Sequence, residues 1–185
     1  NVSNTDDSIV RTGFIGDING FAVSETSSFV TVAQSTYVTG AVNNVAGEPA
    51  GDTAIAVNGL SAAITNGSWC TIAGVPYRIT GTTGGATPTA LALENGLRDD
   101  VADEAVVNIY TPSVVNHPSA GTYAVGYEGK IGFDGGVVPK LGQGVTFGTG
   151  GAPYSVVKVS GTDVWLNRPL DVAVANDAAM FLMPG

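Results

Sequence analysis

The feature that most constrains this chain is a pattern stated twice. Residues 67–79 read GSWCTIAGVPYRI, and residues 142–156 read GQGVTFGTGGAPYSV. Each copy runs from a glycine through Thr plus a large apolar residue (Thr71-Ile72, Thr146-Phe147). Each then crosses a glycine-bearing turn into Pro-Tyr (Pro76-Tyr77, Pro153-Tyr154) and an alternating segment. The match continues downstream, where Leu91-Ala-Leu93 answers Val164-Trp-Leu166, Leu97 answers Leu170, and residues 103–109 answer 176–182. Upstream, Ile55-Ala-Val57-Asn-Gly59 answers Ile131-Gly-Phe133-Asp-Gly135. Register slips fall only at Gly/Thr-rich turns, where loop length changes at little entropic cost. Two copies are too few for a solenoid, so the pattern implies a tandem pair.

Short apolar alternations separated by Gly, Asp and Thr turns predict strands and exclude long helices. In the first copy the strands fall at 53–57, 69–72, 77–80, 90–93 and 106–110, with short helical turns at 60–65 and 99–105. In the second they fall at 130–133, 145–147, 154–159, 164–166 and 179–183. The fold class expected is mainly β: a short-stranded hairpin region followed by two tandem, internally duplicated small β-barrel or sandwich modules. The breaker Gly47-Glu-Pro-Ala-Gly51 suggests domains at 1–48 (hairpin and extended connector), 49–112 (first module), 113–130 (linker) and 131–185 (second module). Pro76, Tyr77, Pro153 and Tyr154 are expected to fix the two modules, with each Tyr ring inward and its hydroxyl at a polar edge.

Charged residues make up 12% of the 185, about half the usual share, which suggests a surface partly covered by neighbours. The net charge is −9, and the seven basic residues are scattered singly, so no basic patch exists for a phosphate backbone. No partner nucleic acid or membrane is expected, since no apolar run reaches the length of a span. One Cys and one His exclude a disulfide framework and a standard zinc site. Cys70 reads as a small buried thiol, and His117, next to Pro118, as an exposed turn residue remote from any nucleophile. The acids Glu94, Asp99, Asp100, Asp103 and Glu104 lack EF-hand spacing and read as a solvated turn. The runs Gly81–Gly85 and 148–151 lack the Lys-Ser/Thr ending of a phosphate loop. No catalytic, cofactor or metal residue is therefore assigned. The first residues already read like the middle of a domain, so the chain is expected to be the C-terminal part of a longer polypeptide.

Residues 9–24, IVRTGFIGDINGFAVS, carry a more specific signal. Gly13, Ile15, Gly16, Ile18, Gly20, Phe21 and Val23 resemble the glycine-and-apolar signature near the end of the core domain in tailed-phage major capsid proteins. Trp69-Cys-Thr-Ile-Ala-Gly-Val75 resembles the β-rich C-terminal portion of P22-like coat proteins. The resemblance implies an HK97-type shell protein without enzymatic activity and localised to the virion. It also implies that the chain self-assembles as a homo-oligomer of many copies, with scaffolding or decoration proteins as further partners. Gly13, Gly16, Gly20 and Phe21 would then shape the core-domain hairpin. The competing expectation is a tandem β-domain binding module of a phage fibre or surface adhesin. That reading needs exposed aromatics, whereas Trp69 and Trp165 both fall on expected core strands.

Overall fold

The computed structural model describes residues 12–18, 21–26, 37–134, 137–148 and 152–184, the first two segments and residue 37 by backbone alone. Residues 1–31 and 32–185 form separate compact units. In the first unit, β1 (Thr12–Ile18) and β2 (Phe21–Thr26) pair antiparallel from Thr12↔Thr26 to Ile18↔Phe21, with a bulge between Phe14 and Gly16. Gly13 and Gly16 lie on β1, opposite Glu25 and Val23, and Phe21 opens β2. Gly20 lies outside the described residues.

The second unit is all strand among the described residues, and no helix there is long and apolar enough to cross a membrane. Its first half comprises β3 (Tyr37–Val42), β4 (Ala54–Asn58), β5 (Trp69–Ile72), β6 (Val75–Thr83), β7 (Ala90–Leu93) and β8 (Val106–Tyr110). These close into a six-stranded barrel in the order β3-β4-β7-β6-β5-β8. Period-two patterning explains which face turns inward. Ile55 and Val57, Cys70 and Ile72, Tyr77 and Ile79, Leu91 and Leu93, and Val107 and Ile109 fill the interior, while the residues between them face out.

The second half comprises β9 (Ser113–Val114), β10 (Thr122–Tyr123), β11 (Ile131–Gly132), β12 (Gly144–Phe147), β13 (Tyr154–Ser160), β14 (Asp163–Leu166), β15 (Val174–Ala175) and β16 (Ala179–Leu182). Six of these run in the order β11-β14-β13-β12-β16-β9. The two outer strands meet just past their ends in an antiparallel bridge, Val115↔Phe133. The Asn116 N–H donates to the Gly132 carbonyl (2.9 Å) and the Asp134 N–H to the Val114 carbonyl (2.7 Å) beside it. The sheet is thereby drawn into a second ring, with Ile131, Phe133, Val145, Phe147, Tyr154, Val156, Val164, Met180 and Leu182 inside.

The two rings have the same strand order and the same register. Cys70↔Ile109 in the first corresponds to Val145↔Leu182 in the second, and Ile72↔Val107 to Phe147↔Met180. The corresponding strands β6 and β13 carry a bulge at the same place, between Ile79 and Gly81 and between Val156 and Lys158. Both last loops contain a non-glycine residue in the left-handed region, Glu104 (φ 61°) and Asp177 (φ 62°).

The structure moves the module boundaries inferred from sequence. Residues 37–42, placed upstream of the first module, form β3 and pair with β8 from Tyr37↔Tyr110 to Ala41↔Val106. Gly47–Gly51 is a loop inside the barrel rather than a boundary, since Glu48 is buried and bridges Val101. The 113–130 stretch, read as a linker, supplies β9 to the second ring, β10 to a separate two-stranded pair with β15, and the buried Tyr123 to the second core. The helical turns expected at 60–65 and 99–105 do not form. Leu60 is instead buried within the first core, and Val101 is held by its bridge to Glu48.

Candidate functional site

The groups that sequence reasoning singled out are mostly absorbed in holding the barrels. Tyr77 is buried, and its hydroxyl accepts the Arg98 N–H at 3.0 Å, one residue past buried Leu97. Tyr154 is buried against Phe147 in an edge contact of 5.6 Å, and its hydroxyl accepts the Asp171 N–H at 2.9 Å, one residue past buried Leu170. The same lock therefore closes both rings. In the second ring it is elaborated: the Tyr154 hydroxyl also donates to the Asp171 carboxylate, and Arg168 lies over the Tyr154 ring at 4.0 Å. Arg168 bonds Asp171 at 3.0 Å and the Pro153 carbonyl at 3.3 Å. Burial and then the Asp171 bond raise the Tyr154 phenol pKa. The Tyr154 hydroxyl and, after it, Arg168 hold the Asp171 carboxyl below the usual range. Pro76 lies on β6 opposite Thr71, and Pro153 just precedes β13; both are exposed.

His117 is a structural turn residue. Its Nδ1 accepts the Ser119 and Gly121 N–H groups at 3.2 Å each, and its ring packs on Tyr123 at 4.5 Å. In the first ring Asn44 stands in the same place, its Oδ1 accepting the Ala46 N–H at 3.2 Å. The acids of 94–104 do not converge: Asp100 takes the Ala50 N–H (2.8 Å), Asp103 takes the Asn44 N–H (3.0 Å), and Asp99 pairs with Arg98. Among the described residues no three of His, Cys, Asp and Glu are placed to hold a metal ion. Cys70 is fully buried, and desolvation pushes its thiol up to about 12, so almost no thiolate exists at neutral pH.

Two arrangements were not anticipated. Both tryptophans face out of their barrels rather than into the cores, because each alternates with a core residue along its strand (Cys70, Val164), and each stands opposite a cation across the strand pair. Trp69 is opposite Arg78 (6.0 Å from ring centroid to guanidinium carbon), and Trp165 is opposite Lys158 (4.3 Å to Nζ).

The second arrangement is a seam between the rings. Phe181 alternates with the core residues Met180 and Leu182, so it points outward, yet it is 3% exposed. Its ring lies against Gly67, where a Cβ would come within 2.8 Å of it. Arg78, likewise outward and 7% exposed, donates to the Gly148 carbonyl at 2.6 Å. The first ring thus docks its β5–β6 side on the β12–β16 side of the second. Sequence reasoning passed over Phe181 and Arg78 because each looks like an ordinary outward strand residue. The one available signal was substitution between the copies, Phe181 standing where the first has Asn108 and Arg78 where the second has Ser155.

No family model and no curated protein matches this chain.

Proposed function

We propose that this chain is a structural coat protein of a phage head, acting by self-association of many copies and carrying no enzymatic activity of its own. The observation that carries the reading is the doubled barrel. The chain builds one closed ring twice and fixes the two together, and its conspicuous polar groups (both Tyr hydroxyls, His117, Asp100 and Asp103) serve as locks on loops. Closed rings expose no strand edges, so copies can be crowded without runaway edge pairing. What they offer a neighbour is shaped surface, including exposed apolar tips such as Val45 (95%) and Val125 (64%). The glycine signature of residues 9–24 coincides with the β1–β2 hairpin, which agrees with this reading. The partners would be further copies of the chain, with scaffolding or decoration proteins beside them, and its place would be the virion. Repetition of modest contacts over a closed shell suffices for stability.

A second reading, a binding module of a fibre or adhesin, draws on the outward placement of Trp69 and Trp165. Sedimentation velocity with electron microscopy of the fast fraction separates the two. Shells or capsomer-sized rings are expected. A discrete trimer that binds glycans on an array overturns the coat reading in favour of a fibre, and a species that stays monomeric at every concentration also overturns it.

A further inference from the structure

Arg78 poses a question that the seam does not answer. Its side chain is buried, yet no carboxylate lies within ion-pair distance of it among the described residues, whose ion pairs are Arg98–Asp99, Lys130–Asp163 and Arg168–Asp171. One terminal nitrogen is used on the Gly148 carbonyl, while Nε has no partner. The neighbouring Trp69 Nε1 is buried and unpartnered too. Both atoms are donors only, so what each requires is an acceptor. A buried guanidinium also calls for negative charge rather than a neutral carbonyl alone.

Both side chains line a cavity of about 270 Å³ on the outer face of the first barrel, with Tyr77, Glu94, Asn95 and Arg98. On its other side Arg78 lines a second cavity of about 350 Å³ with Asn66 and Thr80. Of the two guanidiniums at the first cavity, that of Arg98 is paired with Asp99, which leaves Arg78 as the cation there without a carboxylate in contact; an Arg fork fits a planar two-oxygen acceptor better than a spherical anion.

We propose that this cavity is a socket for a carboxylate, presented by an Asp or Glu side chain of a second copy of the chain. The donor follows from charge. With sixteen Asp and Glu against seven Lys and Arg, the charged group that a neighbouring copy most often presents is a carboxylate. The socket therefore gives one of the chain's few cations a specific use, in drawing together surfaces that otherwise repel. This rests on the self-assembly reading.

The test uses the full chain with Trp165→Phe, so that Trp69 alone fluoresces. Acetate is titrated against chloride at constant ionic strength, with and without Arg78→Met, and association is followed by sedimentation velocity in the same buffers. Acetate is expected to shift Trp69 emission saturably and to weaken association. Arg78→Met should reduce both effects about tenfold or more, with Arg78→Lys between. Far-ultraviolet circular dichroism confirms that the variants are folded. The absence of an acetate-specific response in the folded parent overturns the socket. A response that leaves association unchanged overturns the second copy as donor and points to a free small acid. A parent that never associates overturns the proposed function, and the acetate response then judges the socket by itself.

Discussion

The matched tyrosine locks allow a prediction with an internal control. Tyr77→Phe removes one acceptor from the Arg98 N–H and nothing else, a loss of about 1 kcal/mol for a single neutral hydrogen bond. Tyr154→Phe removes a hydroxyl that accepts the Asp171 N–H and also donates to the Asp171 carboxylate, a loss of about 2 kcal/mol. The two substitutions also differ in pH dependence. Asp171 has a folded pKa below its ordinary value of 3.8, held there first by the Tyr154 hydroxyl. A depressed carboxylate pKa gives stability that is fully present above the unfolded value and is lost as pH falls through the folded one. The penalty of Tyr154→Phe should therefore be full at neutral pH and shrink as pH drops below about 4, whereas that of Tyr77→Phe should stay flat.

The two tryptophans make this measurable ring by ring. With Trp69→Phe, urea unfolding read by Trp165 reports the second barrel; with Trp165→Phe, Trp69 reports the first. An equal, pH-independent penalty in both rings would refute the assignment of Asp171 as the partner of Tyr154. Unchanged midpoints in both variants would refute the lock itself.

Three further outcomes are expected. Gly67→Ala forces a Cβ against the Phe181 ring at a backbone φ of 96°, and should destabilise the chain by about 2 kcal/mol or more in urea unfolding; Phe181→Leu should recover part of that loss, and no recovery would mean that strain alone is responsible. Asp177→Gly and Glu104→Gly, at left-handed φ values, should each raise the denaturation midpoint by an amount equivalent to about 0.5–1 kcal/mol, and a lowered midpoint would show that the side chains contribute more than the strain costs. Cys70 should resist a thiol-reactive disulfide reagent at pH 8 until denaturant unfolds the first barrel, and rapid native labelling would contradict its burial.

The duplication was readable wherever the two copies must satisfy the same backbone constraint with few residue choices. The glycines at 67 and 142 both sit at positive φ (96° and 82°), and each Pro-Tyr pair leads into the strand that carries the lock. Leu97 and Leu170 recur because each plugs a core beside that lock. The first strand of each ring was not readable, because its equivalence lies in main-chain bonds. The Val42 N–H donates to the Ala105 carbonyl and the Val115 N–H to the Ala178 carbonyl, both at 2.9 Å, and past the shared Val-Asn pair (Val42-Asn43, Val115-Asn116) the side chains diverge. Asn44 and His117 share a role without sharing chemistry beyond an acceptor atom. Glu48 and Tyr123 hold matching bridges to Val101 and Val174 with unrelated side chains. A short strand buried on one face and written in Val, Thr, Gly and Ala carries too little pattern to declare its partner.

The seam joins two copies of one module through surfaces that the copies do not share. Its two sides are different surfaces, so the contact is heterologous, and a heterologous contact between identical units propagates without limit unless the rotation closes. Here the copies have diverged at the positions that would continue the stack. The outer face of the second ring has Gly144 and Ser155 where the first has Trp69 and Arg78. The outer face of the first ring has Asn108, half-buried, where the second has Phe181. A ring placed on the free side of the second ring would therefore find no counterpart of Arg78, and one placed on the free side of the first would find no counterpart of Phe181. Contacts between copies, whether through the Arg78 socket or the apolar loop tips, must then use surfaces other than the one that joins the two rings.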